Sequence, residues 1–310
     1  MSGAPKKVAL VGARGHVGKE VVRLIDQDPD FALTLATSRE NAGKPVGEIL
    51  GAGPDDLLFT ESDPDAVADA GADAVLLGLP NGLAAPFVEA IERTAPETVI
   101  VDISADYRHV QGWIFGLVDL HADDIRGATR IANPGCYATA GILSLYPLRD
   151  VLDGTPSIFG LSGYSGAGTT PGPRNDPERL RDNVLPYGFA GHGHQAEISA
   201  TIGRPVRFVP HVAAFFRGLI TTVTAPLKPG VSVEGVKAAY ARAYEGNPTV
   251  HLQDEPPEPR QAANTVNAII GGVAIDPATH MLAVTCAHDN LLKGAASQAL
   301  ANARLGLKLD

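Results

Sequence analysis

Short apolar runs alternate with amphipathic helical segments through the first half of the chain. Residues 8–11 are continuously apolar, as in a buried strand, and residues 17–25 carry apolar side chains at helical spacing. Three later segments have the composition of further strands: residues 33–37, 74–79 and 99–103. This alternation predicts βαβ units built around a parallel sheet.

A glycine-rich loop, GARGHVG at residues 12–18, joins the first predicted strand to the first predicted helix. Its G-x-x-G-x-x-G spacing allows a tight turn and lets the backbone approach a pyrophosphate at the helix N-terminus. The triplet alone also suits a plain strand-to-helix turn, but its place after the first strand favours a dinucleotide site. The loop supplies the first predicted cofactor-binding residues: Gly12, Arg14, Gly15, His16, Val17 and Gly18.

The end of the second predicted strand indicates which dinucleotide is bound. An NAD site usually has a carboxylate here, for the ribose 2′-hydroxyl. This chain has Ser38 and Arg39 instead, followed by Glu40. A hydroxyl and a guanidinium suit the 2′-phosphate of NADP, so NADP is the predicted cofactor. The alternative for Arg39 is a solvated loop arginine.

Charge and composition exclude several kinds of partner. The formal net charge of −10 argues against nucleic acid, which needs clustered Lys and Arg. No apolar stretch in the sequence approaches the length of a membrane span, so a cytoplasmic protein is expected. Two cysteines in 310 residues do not make a disulfide framework.

Cys136 follows a Pro-Gly turn in NPGCYATA and precedes apolar residues at helical spacing. A thiol in the first turn of a helix lies near the positive end of the helix dipole, which favours the nucleophilic thiolate. Backbone N–H groups there can also bind an oxyanion formed at a carbonyl carbon. The alternative, a small buried hydrophobe, better suits Cys286 within the apolar segment MLAVTC.

Two histidines and a glutamate lie within six residues in GHGHQAEI: His192, His194 and Glu197. They suit general acid–base catalysis, with Glu197 one helical turn beyond His194 and able to orient its ring if a helix begins there. Metal binding is the weaker hypothesis, because no partner pair with structural-site spacing is present, and no metal is predicted. A polar loop is the remaining alternative.

Together, these motifs resemble the N-acetyl-γ-glutamyl-phosphate reductase family of arginine biosynthesis, in its shorter size class. The motifs that carry the resemblance run in order from about residue 7 to residue 305: the glycine loop, VDISADYR, NPGCYATA, SGYSGAG, HGHQAEI, FVPH and DNLLKGAASQALAN. The cysteine and terminal motifs are specific to this family, whereas the glycine loop is not.

The resemblance implies an α/β fold with two domains. A Rossmann NADP-binding domain would comprise residues 1–145 and 287–310. An α+β domain like that of glyceraldehyde-3-phosphate dehydrogenase would comprise residues 146–286 and serve catalysis and oligomerisation. A final helix over about 289–305 would pack on the first domain, and the protein would be a homo-oligomer, a dimer or a tetramer.

The resemblance also implies residue roles. Cys136 takes the position of the nucleophile, His194 with His192 that of the histidine motif, and Glu197 that of its carboxylate. Asn133 and the Cys136 N–H would hold the oxyanion. The remaining implied cofactor contacts are Pro80, Asn81, Gly82, Ser104 and Asn290.

The sequence departs from the family pattern in two places. Gly193 stands where the family usually has arginine between the two histidines, and AANTVN at residues 262–267 replaces the usual Gly-Ser/Thr-Asn pattern. Four basic residues are possible substitutes at the substrate's anionic end: Arg108, Arg174, Arg217 and Lys293.

The implied reaction is reductive dephosphorylation of an acyl phosphate through a thioester on Cys136. Three alternatives remain. A related enzyme could act on a carrier-protein-bound aminoadipyl or glutamyl phosphate, although no Lys/Arg cluster indicates an acidic carrier. Aspartate-semialdehyde dehydrogenase shares the chemistry with poorer motif agreement, and an NADP-binding redox sensor would not need the histidine–glutamate motif.

Overall fold

The computed structural model describes residues 4–309, which contain two sheets in two separate units of the chain. The first unit comprises the described residues up to Pro134 and from Ala295 onwards, and the second is Gly135–Gly294. None of the helices within the described range has the length and apolarity needed to cross a membrane.

Six parallel strands form the sheet of the first unit, in the order β2-β1-β3-β4-β6-β5. These strands are β1 (Lys6–Val11), β2 (Phe31–Ala36), β3 (Ala74–Leu77), β4 (Val99–Asp102), β5 (Ile114–Phe115) and β6 (Arg130–Ala132). The four strands predicted from the alternating pattern are confirmed as β1, β2, β3 and β4.

Helices cover both faces of this sheet. The helices of the first unit are α1 (His16–Asp26), α2 (Val46–Leu50), α3 (Pro64–Ala68), α4 (Ala85–Thr94), α5 (Val118–Ile125) and α11 (Ser297–Gly306). Val8 and Leu10 of β1 belong to the apolar core that contains α1 and α11 residues, while Ala9 and Val11 belong to the core that contains α3 and α4 residues. Burial on both faces explains why β1 is continuously apolar rather than alternating.

A seven-stranded mixed sheet forms the second unit, in the order β11-β12-β13-β10-β7-β9-β8. Its strands are β7 (Ser157–Gly163), β8 (Val184–Pro186), β9 (Arg207–Ala213), β10 (Leu219–Pro226), β11 (Val250–Leu252), β12 (Ala268–Ile275) and β13 (Met281–His288). Only β7/β9 and β11/β12 pair in parallel among its six strand pairs. Cys286 is fully buried in β13, as its apolar surroundings predicted.

The helices of the second unit include the one that starts at the predicted nucleophile. They are α6 (Cys136–Leu145), α7 (Pro177–Leu180), α8 (Gly193–Ile202), α9 (Val233–Ala243) and α10 (Pro259–Ala262), with 3₁₀ turns at Tyr146–Leu148 and Tyr164–Ala167. Helix α6 packs on α8 and on the sheet strands β10 and β13, and all of its residues after Cys136 are buried. It therefore belongs to the second unit, whereas the predicted boundary after residue 145 put it in the first domain.

The C-terminal helix differs from the expected single helix over 289–305. A π-helical turn at Leu292–Ala296 comes first, and α11 begins only at Ser297. Ala299 and Ala303 of α11 are fully buried in the first unit, where α11 contacts α1, α5 and β4. The small side chains of Ala299 and Ala303 allow α11 to pack closely against these elements.

Candidate active site

Cys136 is the first residue of α6 and is half-buried. The preceding residue, Gly135, has extended backbone angles (φ −73°, ψ 151°) and no side chain that could cap the helix. Gly294 lies directly against the cysteine, since a Cβ atom at this position would be 2.7 Å from the Cys136 Cβ. The helix start that the Pro-Gly turn predicted is confirmed, with the thiol where first-turn N–H groups are directed.

Glu197 holds the backbone immediately before Cys136. Its Oε2 accepts a hydrogen bond from the Gly135 N–H at 2.9 Å, and the side chain is 2% exposed. Helix α8 does begin at Gly193, so Glu197 lies one turn beyond His194 as predicted. The bond to Gly135 gives the carboxylate a role that sequence reasoning missed, because it joins residues 62 positions apart.

The two histidines of the motif differ in their structural roles. His192 is the N-cap of α8, and its Nδ1 accepts a hydrogen bond from the His194 N–H at 3.2 Å. A neutral His192 therefore carries its proton on Nε2. The ring of His194 lies 4.7 Å from that of His192 and 5.9 Å from that of Tyr137, the residue after the nucleophile.

His288, at the end of β13, was not among the predicted site residues. It is fully buried, with Nε2 2.9 Å from the Cys136 carbonyl oxygen and Nδ1 3.0 Å from the Asp289 carbonyl oxygen. A neutral ring can donate to only one of these oxygens. Burial is the largest influence on the pKa of His288: it disfavours the protonated ring and lowers the pKa.

Two tyrosines complete the polar surroundings of Cys136. The hydroxyl of Tyr137 donates to the His211 carbonyl oxygen at 2.6 Å. Burial, aided by the charge of Cys136, raises the pKa of Tyr187 to about 12, while Arg174 acts in the opposite direction. Both hydroxyls therefore remain protonated near neutral pH and can donate hydrogen bonds.

The glycine loop of the first unit fits a dinucleotide. Gly12 has φ +80°, and a Cβ atom there would lie 2.5 Å from the Gly78 carbonyl oxygen, so a side chain is excluded. Helix α1 begins at His16, directly after Gly15, and its first turn can receive a pyrophosphate. Arg14 forms an ion pair with Glu40, the acidic residue that follows Arg39.

Arg39 lines an open pocket of about 400 Å³ together with Glu61, Ser62, Asp63 and Pro64. The Asp63 carboxylate caps α3 by accepting a bond from the Ala66 N–H. The pocket offers the Arg39 guanidinium and the Ser62 hydroxyl to a phosphate. Its other charged residues are acidic, so Arg39 is the one basic residue that lines it. Ser38 is buried, and its N–H donates to the Thr60 carbonyl oxygen at 2.9 Å.

The predicted cofactor residues after β3 and β4 lie in two loops that bond to each other. These residues are Pro80, Asn81, Gly82 and Ser104. Asn81 Oδ1 accepts from the Ala105 N–H at 3.0 Å, and the Gly82 N–H donates to Asp106 at 2.7 Å. Both loops follow the carboxyl ends of neighbouring strands, where α/β sheets bind ligands. Direct contact of these residues with the cofactor stays a prediction.

Two predicted site residues are committed to structural bonds. Asn133 is fully buried, with Nδ2 donating to the Ala295 carbonyl oxygen at 3.3 Å and Oδ1 accepting from Asn302 at 3.0 Å. Asn290 is also buried and joins the Gly218 N–H to the Ser165 hydroxyl. These bonds favour supporting roles over the predicted contacts with the oxyanion and the cofactor. No group of three potential metal ligands occurs among residues 4–309.

Two family models match the chain in the order of its two units. Residues 7–128 match the semialdehyde dehydrogenase NAD binding domain, and residues 136–290 match the semialdehyde dehydrogenase dimerisation domain. The chain therefore belongs to the semialdehyde dehydrogenase class.

Curated relatives narrow this class. A protein of Xanthomonas axonopodis pv. citri named N-acetyl-gamma-glutamyl-phosphate reductase is 45% identical over 310 residues, covering 100% of this chain and 98% of its own. One of Stenotrophomonas maltophilia with the same name is 45% identical over 303 residues, covering 98% and 96%. The chain belongs to the N-acetyl-γ-glutamyl-phosphate reductase family, as the sequence motifs predicted. The predicted enzyme class, an NADP-dependent oxidoreductase, is confirmed with it.

Solved structures confirm the predicted fold class. Aspartate semialdehyde dehydrogenase II of Vibrio cholerae, complexed with ASA, superposes with a TM-score of 0.78 at 18% identity, over 99% of both chains. Aspartate semialdehyde dehydrogenase of Candida albicans, solved with NADP, gives 0.74 at 19% identity, over 98% of this chain and 100% of its own. At these identities the likeness concerns the fold alone.

Removing the Glu197 carboxylate should loosen the start of α6. Glu197→Ala leaves the buried Gly135 N–H without this acceptor, which should cost about 1–3 kcal/mol of unfolding free energy. Glu197→Gln retains an acceptor oxygen and should cost less, and Glu89→Ala, at an exposed position of α4, should cost little. Denaturant unfolding measures all three. An alanine variant as stable as the unmodified protein would contradict this role.

The buried His288 should make stability fall with acidification. Since its pKa is lowered on folding, the unfolded chain binds the proton more readily as the pH drops below the ordinary value of 6.5. The unfolding free energy of the unmodified protein minus that of His288→Gln should therefore be largest above that pH and decrease below it. His16, whose pKa is also lowered by burial, is present in both proteins and cancels. Unfolding measured between about pH 7.5 and 5 tests this, and a constant difference would refute it.

Proposed function

We propose that this chain reduces N-acetyl-γ-glutamyl phosphate with NADPH, releasing phosphate and N-acetyl-L-glutamate 5-semialdehyde, a step of arginine biosynthesis. The observation that carries the proposal is Cys136 at the first position of α6, in a chain 45% identical over its full length to a reductase of that name. The name gives the substrate, and the placement of the thiol gives the chemistry.

Cys136 acts as the nucleophile in this proposal. Its sulfur forms a bond to the acyl carbon while the bond from that carbon to the phosphate oxygen breaks, and phosphate leaves with the electron pair. The product on the enzyme is a thioester. Backbone N–H groups in the first turn of α6, including that of Cys136, stabilise the negative oxygen that forms during the attack.

Reduction and release complete the proposed reaction. The glycine loop and Arg39 would hold NADPH, whose chemistry when bound would be hydride donation to the thioester carbonyl. His194 then moves the hydroxyl proton as the carbon–sulfur bond breaks and the aldehyde leaves. His192 keeps α8 in place through its N-cap bond, and Glu197 does the same for the backbone before Cys136.

A cytoplasmic homo-oligomer, a dimer or a tetramer, is part of the proposal. The match of residues 136–290 to a dimerisation domain supports it. The cytoplasmic location follows from the cofactor and the biosynthetic role.

The purified protein should oxidise NADPH with N-acetyl-γ-glutamyl phosphate and not with L-aspartyl phosphate.

Cys136→Ser should abolish turnover without loss of NADPH binding, whereas the matched Cys286→Ala should remain active because Cys286 is buried in β13. His194→Asn should lower kcat about 10²–10⁴-fold. Iodoacetamide should label half-buried Cys136 faster than Cys286. Turnover by Cys136→Ser, or preference for aspartyl phosphate, would overturn the proposal.

Arg39 should determine the choice between NADPH and NADH. Arg39→Ala removes the one basic group of a pocket that also contains Glu61 and Asp63. Loss of this charge-assisted contact should weaken NADPH binding by about 1.5–3 kcal/mol and leave NADH binding nearly unchanged. Arg93→Ala, an exposed arginine of α4, is the control. Fluorescence titration with both cofactors measures the effect, and equal weakening of the two would count against the assignment.

A further inference from the structure

The proposed substrate carries a carboxylate and a phosphoryl group, and each needs a positive partner near Cys136. The histidine motif does not supply a permanent cation, because Gly193 lies between His192 and His194. The net charge of −10 makes a local cation all the more necessary.

Three of the four basic residues considered from the sequence are engaged elsewhere. Arg217 makes a bidentate pair with buried Asp289, at 2.6 and 3.1 Å. Lys293 is 4% exposed, and its Nζ donates to the Thr249 hydroxyl at 2.9 Å. Arg108, in the first unit, donates to two backbone carbonyl oxygens at 2.9 and 3.2 Å. These bonds commit part of each donor set to the fold, and all three side chains are more buried than Arg174.

Arg174 differs because it is exposed and close to the nucleophile's surroundings. Its guanidinium carbon lies 4.7 Å from the centre of the Tyr187 ring, which positions the cation by a cation–π contact. The Tyr187 ring lies 5.7 Å from that of His192. Arg174 also donates a hydrogen bond to the Tyr187 hydroxyl. The His192 ring lies 4.7 Å from that of His194, which lies 5.9 Å from that of Tyr137, the residue after Cys136. Neighbouring rings therefore connect the guanidinium to the start of α6.

We propose that Arg174 binds an anionic oxygen group of the acyl-phosphate substrate and supplies the cation that Gly193 does not. The inference rests on the proposed function for the identity of the substrate. An exposed guanidinium held by one tyrosine keeps further N–H donors, since it has five in all, and these match the oxygen pair of either a carboxylate or a phosphate. Arg174 is thus a specificity-determining residue that contacts the substrate and takes no part in bond breaking.

Alkylation of Cys136 tests the charge without any turnover. Iodoacetate is anionic and iodoacetamide is neutral, so the ratio of their rates at Cys136 reports on a nearby cation. Arg174→Ala should lower this ratio about threefold or more, and Arg174→Lys should retain most of it. Arg179→Ala, the same change at another exposed position of the segment, should leave it unchanged. An unchanged ratio in Arg174→Ala would overturn the proposal.

Steady-state kinetics in the reverse direction identify the group that is bound. The semialdehyde and inorganic phosphate are then separate substrates, so Arg174→Ala should raise one KM about tenfold or more with kcat changed less than about twofold. A raised KM for phosphate assigns Arg174 to the phosphoryl group, and a raised KM for the semialdehyde assigns it to the carboxylate. If neither rises in an active enzyme, the proposal is wrong. If the unmodified protein does not turn these substrates over, the proposed function fails, and the alkylation ratio still decides whether Arg174 forms an anion site.

Discussion

The hydrogen bond from the Gly135 N–H to Glu197 is the constraint on which the second unit's site depends. It places a carboxylate, 2% exposed, against the backbone directly before the nucleophile. Burying a carboxylate is costly unless donors surround it, and the start of a helix supplies both N–H groups and the positive end of a dipole. On the other side, His288 contacts the Cys136 carbonyl oxygen. The backbone of residues 135 and 136 is thus fixed by two buried ionisable side chains from different elements.

The same arrangement limits how the thiolate can be stabilised. Glu197 and a Cys136 thiolate are both negative and share the positive end of one helix, so the carboxylate takes part of the stabilisation that the dipole offers. The pKa of His288 is lowered by burial, so at neutral pH it does not add a full positive charge. Local N–H groups, tyrosine hydroxyls and an exposed guanidinium therefore become more important to the nucleophile. The proposed anion contact at Arg174 would meet this need.

Features set by local sequence could be predicted, and features set by distant contacts could not. Burial on both faces makes residues 8–11, 74–77 and 99–101 continuously apolar, and the Pro-Gly turn precedes the start of α6, so both features could be predicted from the sequence. The partner of Glu197 lies 62 residues away and that of His288 lies 152 residues away. Only tertiary folding creates such pairs. The assignment of α6 to the second unit also depends on its packing against β10, β13 and α8, which the sequence does not display.

The shared fold alone does not determine which substrate this chain selects. Aspartate semialdehyde dehydrogenase II of Vibrio cholerae has the same fold at 18% identity, so the scaffold tolerates replacement of most side chains. Loops commonly carry substrate selectivity, because few packed contacts restrain them and their sequences vary readily. In this chain the segment from the end of β7 to α8 includes both Gly193 and Arg174. Under the proposal for Arg174, the cation that contacts the substrate lies before α7, and α8 keeps His192 as its N-cap. Anion recognition here can therefore change position along the chain without disturbing the backbone that holds Cys136.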